Sequence, residues 1–119
     1  MTDPPSLDRA AWEELGRTIG GDKLFLAELI ETFFDDTTKQ LAAMHQSLRL
    51  GKVEEFRRSA HSLKSNSATF GALRLSGMCR DLEEMGAKGT LVGAEDRLAQ
   101  AEEEYGRVRP LLEAQQAQG

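Results

Sequence analysis

Apolar residues recur along this chain at alternating intervals of three and four, the spacing of helices that bury one face. No stretch alternates apolar with polar residues as a half-buried strand does, and β-branched residues are few and scattered. LDRAAWEEL, residues 7–15, predicts a short helix with Asp8 as N-cap and Trp12 and Leu15 turned inward. Gly20 and Gly21 break the chain before Asp22 caps a long helix reaching about Leu50. Its stripe is Leu26, Ile30, Phe33, Leu41, Met44 and Leu48, and Gly51 ends it. Val53, Phe56, Ala60, Leu63, Ser67 and Phe70 form the seam of a third helix closed by Gly71. A fourth turns Leu75, Cys79, Leu82 and Met85 inward and stops at the GAKG run of 86–89. A fifth carries Leu91, Ala94, Leu98, Ala101, Tyr105, Val108 and Leu112, with Pro110 expected to bend or end it and EAQQAQG to fray.

Four long amphipathic helices on short loops predict an all-α fold: an up-down-up-down antiparallel four-helix bundle with a short additional N-terminal helix across one end. A chain of 119 residues fits one domain, taken as 1–119 with the bundle over about 8–112 and frayed termini. Apolar residues make up 39% and charged ones 29%, ordinary for a globular protein. No apolar run approaches the roughly 18 residues of a membrane span, and MTDPPSLDRA lacks the profile of a signal peptide. A cytoplasmic protein without membrane association is therefore expected. Cys79 is the single cysteine, which excludes an internal disulfide and Cys-rich zinc sites, and its spacing makes it a core residue.

The net charge of −5 argues against nucleic-acid binding, yet the charge is uneven. From Phe56 to Arg80 there is no Asp or Glu, while Arg57, Arg58, Lys64, Arg74 and Arg80 all fall inside the window. Such a patch suits an anionic partner or product. His61 lies within it, about 100° beyond inward-facing Ala60 and hence at the water-facing edge of the seam. Arg57 and Lys64 neighbour it one turn away, and Ser65 and Ala68 add little bulk. A neutral imidazole has one nitrogen free to attack phosphorus, and phosphoryl transfer needs mainly positioning and charge stabilisation. Lys64 is placed to offset the charge of a phosphoryl group. No Gly-rich phosphate loop of either nucleotide-binding type occurs, so an autokinase is not expected.

HSLKSNSATFGA, residues 61–72, resembles the signature of histidine-containing phosphotransfer (HPt) domains. The matching positions are His61, Leu63, Lys64, Ser67 and Gly71, followed by ALRLSGMCRDLE; Ser65 stands where that family usually has Gly. The resemblance spans roughly residues 8–112. It implies a non-enzymatic phosphocarrier in a bacterial multistep phosphorelay, a monomer that takes a phosphoryl group on His61 Nε2 from a receiver-domain phospho-aspartate and passes it to another receiver. The partners implied are receiver domains of a hybrid histidine kinase and a response regulator. No cofactor is implied, Mg2+ being expected only on the receiver. The family often holds the histidine Nδ1 with a polar side chain of the following helix, and Glu83 occupies that position by ungapped counting. Arg57, Arg58, Ser65 and Ala68 are the implied receiver-docking residues, on the face of the second and third helices.

The other features have plainer readings. His45 lacks cationic company and reads as a partly packed surface residue, and Glu102, Glu103 and Glu104 read as a solvated charge run. The alternative function is a helical interaction module without chemistry, docking an acidic partner through the basic 56–80 window.

Overall fold

The computed structural model describes residues 5–117, so the fraying expected of residues 1–4 and 118–119 lies outside the described residues. Five helices follow one another: α1 (Arg9–Thr18), α2 (Lys23–Leu50), α3 (Val53–Thr69), α4 (Leu73–Ala87) and α5 (Ala94–Ala117). No strand occurs among the described residues. Asp8 caps α1 by accepting from the Ala11 N–H at 2.9 Å, and Asp22 caps α2 by accepting from the Phe25 N–H at 3.0 Å. These satisfy amide donors that the first turn of a helix leaves open. Gly51 ends α2 in the left-handed conformation, φ 67°, which glycine adopts without steric cost.

Each of α2 to α5 packs on two others: α2 on α3 and α5, and α4 on α3 and α5, while α1 lies against α3. Between them sit Ile30, Phe33, Met44, Phe56, Leu63, Leu75, Leu82, Leu98, Val108 and Leu112, all essentially without solvent contact. Phe33 and Phe70 stack at 4.8 Å between ring centroids, joining α2 to the end of α3. Gly71 follows with φ +80°, and a Cβ there would stand 2.9 Å from the Asp8 carbonyl. The Asp8 N–H donates to the Gly71 carbonyl at 2.7 Å, so this glycine is where the start of α1 docks.

The seams match the apolar pattern, with four differences. α2 also buries Phe34 and Thr37, the latter filling the gap in the stripe between Phe33 and Leu41. α5 begins at Ala94, after Gly93 at φ +80°, although Leu91 still packs on the core. Pro110 neither ends α5 nor frees its tail. A proline removes one helical hydrogen bond and crowds the carbonyl four residues back; here that residue is Gly106, exposed to water. Beyond it, the Gln116 amide donates to the Ala27 carbonyl at 3.1 Å and to Glu31 at 3.2 Å, fastening α5 to α2.

The fourth difference is Glu104, which is fully buried instead of solvated. Three successive helical residues sweep about 200° from first to last. With Ala101 and Tyr105 facing the core, one member of the run has to turn inward. Its carboxylate meets Arg107 Nε at 2.9 Å and Arg74 Nε at 3.6 Å. Glu103 stays exposed and Glu102 accepts from exposed His45 at 2.8 Å.

Candidate functional site

Ala60 and Leu82 are buried on α3 and α4, and the residue after each turns about 100° out of the core. Those residues are His61 and Glu83, and they meet above the seam between the two helices. The His61 Nδ1–H donates to Glu83 Oε2, while Lys64 Nζ donates to Glu83 Oε1 at 2.6 Å. One carboxylate thus bridges two α3 side chains a helical turn apart.

Close approach of the helices makes this reach possible. Gly86 lies one turn beyond Glu83, and a Cβ built there would fall 2.7 Å from Arg57 Cβ. Arg57 in turn lies one turn before His61. Towards the other end of the site, Ser76 of α4 donates to the Lys64 backbone carbonyl at 2.9 Å. The α3 side is held to α2 by Asn66, which donates to Asp36 at 2.5 Å.

Exposure differs across the bridge. The His61 side chain is 56% exposed, Lys64 28% and Glu83 15%. Glu83 lies below the ordinary carboxylate value of 4.5, chiefly through the Lys64 hydrogen bond and then through His61 and the charge of both, against an opposing effect of burial. Ionised Glu83 only accepts, which places the His61 proton on Nδ1. Nε2 has no hydrogen-bond partner among the described residues. Beside the bridge runs a groove between α3 and α4, lined by Lys64, Ser65, Ala68, Ser76, Gly77 and Arg80.

The acid-free window does not become an uncompensated cationic face. Arg57 donates twice to Glu54, at 3.0 and 2.5 Å, and Arg58 lies 3.5 Å from the same carboxylate. Lys64 is taken by Glu83 and Arg74 by Glu104. Arg80, exposed on the rim of the groove, alone among these cations has no carboxylate partner among the described residues. The Glu54 pairs stand at a spacing the sequence shows, whereas Glu83 and Glu104 come from other helices and the linear sequence could not show their part.

Of the residues singled out from the sequence, His61, Lys64 and Glu83 come together, and Ser65 and Ala68 lie exposed beside them. Arg58 is exposed, and half-exposed Arg57 packs its stem against Gly86. Ser76, Gly77 and Arg80 were not singled out as site residues; a count of small residues on the outer face of the fourth helix could have found the first two. The groove beside His61 lies between α3 and α4, whereas the sequence reading put the docking surface on the face of the second and third helices. His45 stays apart with Glu102. Cys79 is buried, which pushes its thiol up to about 12.

The Hpt domain family model matches residues 28–115. Among solved structures, the crystal structure of histidine-containing phosphotransfer protein B (HptB) from Pseudomonas aeruginosa PAO1 is similar, with a TM-score of 0.89 and 31% sequence identity. That likeness covers 98% of this chain and 99% of the other. A search of curated proteins gives no match. With a helical fold, an exposed histidine held through Nδ1, and a family match that takes in both helices of that site, the chain belongs to the Hpt domain family.

Proposed function

We propose that this protein is a histidine phosphocarrier of a phosphorelay and that His61 Nε2 carries the phosphoryl group. The observation that supports this most is the engagement of Nδ1 by Glu83, which commits the proton to one nitrogen of an exposed ring and leaves the other a lone pair. That lone pair attacks the phosphorus of a receiver's aspartyl phosphate. An N–P bond forms as the P–O bond to the aspartate breaks, and the receiver departs with a free carboxylate. The proton stays on Nδ1, so the phosphorylated ring gains a positive charge beside Glu83. The reverse sequence delivers the phosphoryl group to a second receiver.

The partners in this reading are receiver domains of a hybrid histidine kinase and a response regulator, acting in the cytoplasm on a monomeric carrier. The Mg2+ of the reaction belongs to the receiver, and no cofactor is assigned to this chain. Receivers approach over His61, where Ser65 and Ala68 admit them and Arg57 and Arg58 form the rim. The long helices are taken to run up-down-up-down, a sense supported by the pairs Asp36 with Asn66, His61 with Glu83, Asp81 with Arg97, and Ala27 with Gln116. Incubation with a phosphorylated receiver tests the function: wild type should gain acid-labile, base-stable phosphate, and a folded His61→Gln variant should gain none.

A further inference from the structure

Lys64 lies one helical turn after His61, and its ammonium is already engaged. It donates to Glu83 Oε1 at 2.6 Å while the other oxygen of that carboxylate takes the His61 Nδ1–H. A glutamate side chain has three rotatable bonds and a glutamate on a groove has many rotamers to lose. Here two partners on one helix, a turn apart, hold both of its oxygens. Lys64 is itself anchored: it is largely covered, and Ser76 of α4 holds its backbone carbonyl at 2.9 Å.

We propose that Lys64 is a positioning residue that acts on His61 through Glu83, pinning the carboxylate that keeps the proton on Nδ1 and Nε2 free, instead of meeting the phosphoryl group itself. This rests on His61 being the phosphoacceptor. Lys64 already commits its ammonium to a short charge-assisted bond that holds Glu83 in place. Arg80, which has no carboxylate partner among the described residues, is a second cation on the groove that could answer the phosphoryl charge. The lowered proton affinity of Glu83, for which Lys64 is the leading cause, agrees with the link.

The test combines imidazole 15N–1H spectra of the unphosphorylated full chain at about pH 8, where imidazole is mostly neutral, with transfer rates from a phosphorylated receiver. Wild type should show His61 as the Nδ1–H tautomer; Lys64→Ala should convert it to a mixture, and Lys64→Arg should retain Nδ1–H. Lys64→Ala and Glu83→Gln should each slow transfer on the order of tenfold, and the double variant should match Glu83→Gln alone within about twofold. An unchanged tautomer in Lys64→Ala, or the same slowing by Lys64→Ala in the Glu83→Gln background as in wild type, would overturn the proposal. Should wild type take no phosphoryl group on His61, the phosphocarrier reading falls, and the tautomer spectra still decide whether Lys64 acts through Glu83.

Discussion

Two glycines on α4 should respond to the same substitution with opposite signs. Gly77 has nothing within 4 Å of the position its Cβ would take, so Gly77→Ala removes only the backbone freedom that a helical glycine retains when unfolded. The gain is about 0.5–1 kcal/mol. At Gly86 the new methyl would stand 2.7 Å from Arg57 Cβ and 3.1 Å from Arg57 Cα. Neither atom is the free end of a side chain, so α3 and α4 themselves must separate. Overpacking of this kind costs about 1–3 kcal/mol, against a propensity gain of at most about 1 kcal/mol. Gly86→Ala should therefore be destabilised by about 1 kcal/mol net. For a chain of this size that corresponds to a fall of roughly 3–6 °C in Tm, with Gly77→Ala moving upward by roughly 2–5 °C. Denaturant titration and calorimetry of both variants read the difference. Gly86 lies one turn from Glu83 and Arg57 one turn from His61, so the separation should also loosen the His61–Glu83 contact and slow phosphotransfer. If Gly86→Ala is as stabilising as Gly77→Ala, the close approach of α3 and α4 is not what holds the site together.

Three further outcomes follow from individual contacts. Glu83 has its carboxyl held below 4.5 in the folded state, so the stability its ionised form contributes should be present above that pH and disappear as pH falls through the lower folded value; the gap between wild type and Glu83→Gln should shrink as pH falls below about 4.5, and a gap that persists undiminished in strong acid would refute the assignment. Glu104→Ala removes a buried carboxylate together with its ion pairs to Arg107 and Arg74, and should cost about 1–3 kcal/mol by denaturant titration, with Glu104→Gln costing less; no loss in Glu104→Ala would mean that these ion pairs and the packing contribute nothing. Ala68→Arg should block transfer in a folded protein by filling the receiver's approach, whereas Arg57→Ala, which keeps the Cβ that faces Gly86, should only slow association and flatten its salt dependence; wild-type transfer in Ala68→Arg would remove this face as the docking surface.

The helices were legible because seams at intervals of three and four report directly which residues face inward, as Phe56, Ala60, Leu63 and Ser67 do on α3. The same pattern placed His61 one step off a buried residue, whereas Glu83 was singled out through the family resemblance and then proved to lie one step off buried Leu82. What escaped were features that depend on neighbours in space. Glu104 looked like part of a solvated run because nothing local announces the two arginines that accompany it into the bundle. The basic window looked uncompensated because Glu83 and Glu104 reach its cations from other helices. Pro110 looked like a stop, yet the exposed Gly106 carbonyl and the Gln116 bonds to α2 allow α5 to continue. Gly86 at the end of the fourth helix read as a terminator, while its packing role against Arg57 appears only once the helices are side by side.

The central claim is that one atom, His61 Nε2, carries the phosphoryl group, and 31P–15N correlation on the 15N-histidine-labelled, receiver-phosphorylated protein observes that atom directly. The geometry predicts a single N–P coupling, to His61 Nε2, with Nδ1 still protonated beside Glu83 and His45 unmodified in its pair with Glu102. A coupling to His61 Nδ1, or to either nitrogen of His45, would contradict it.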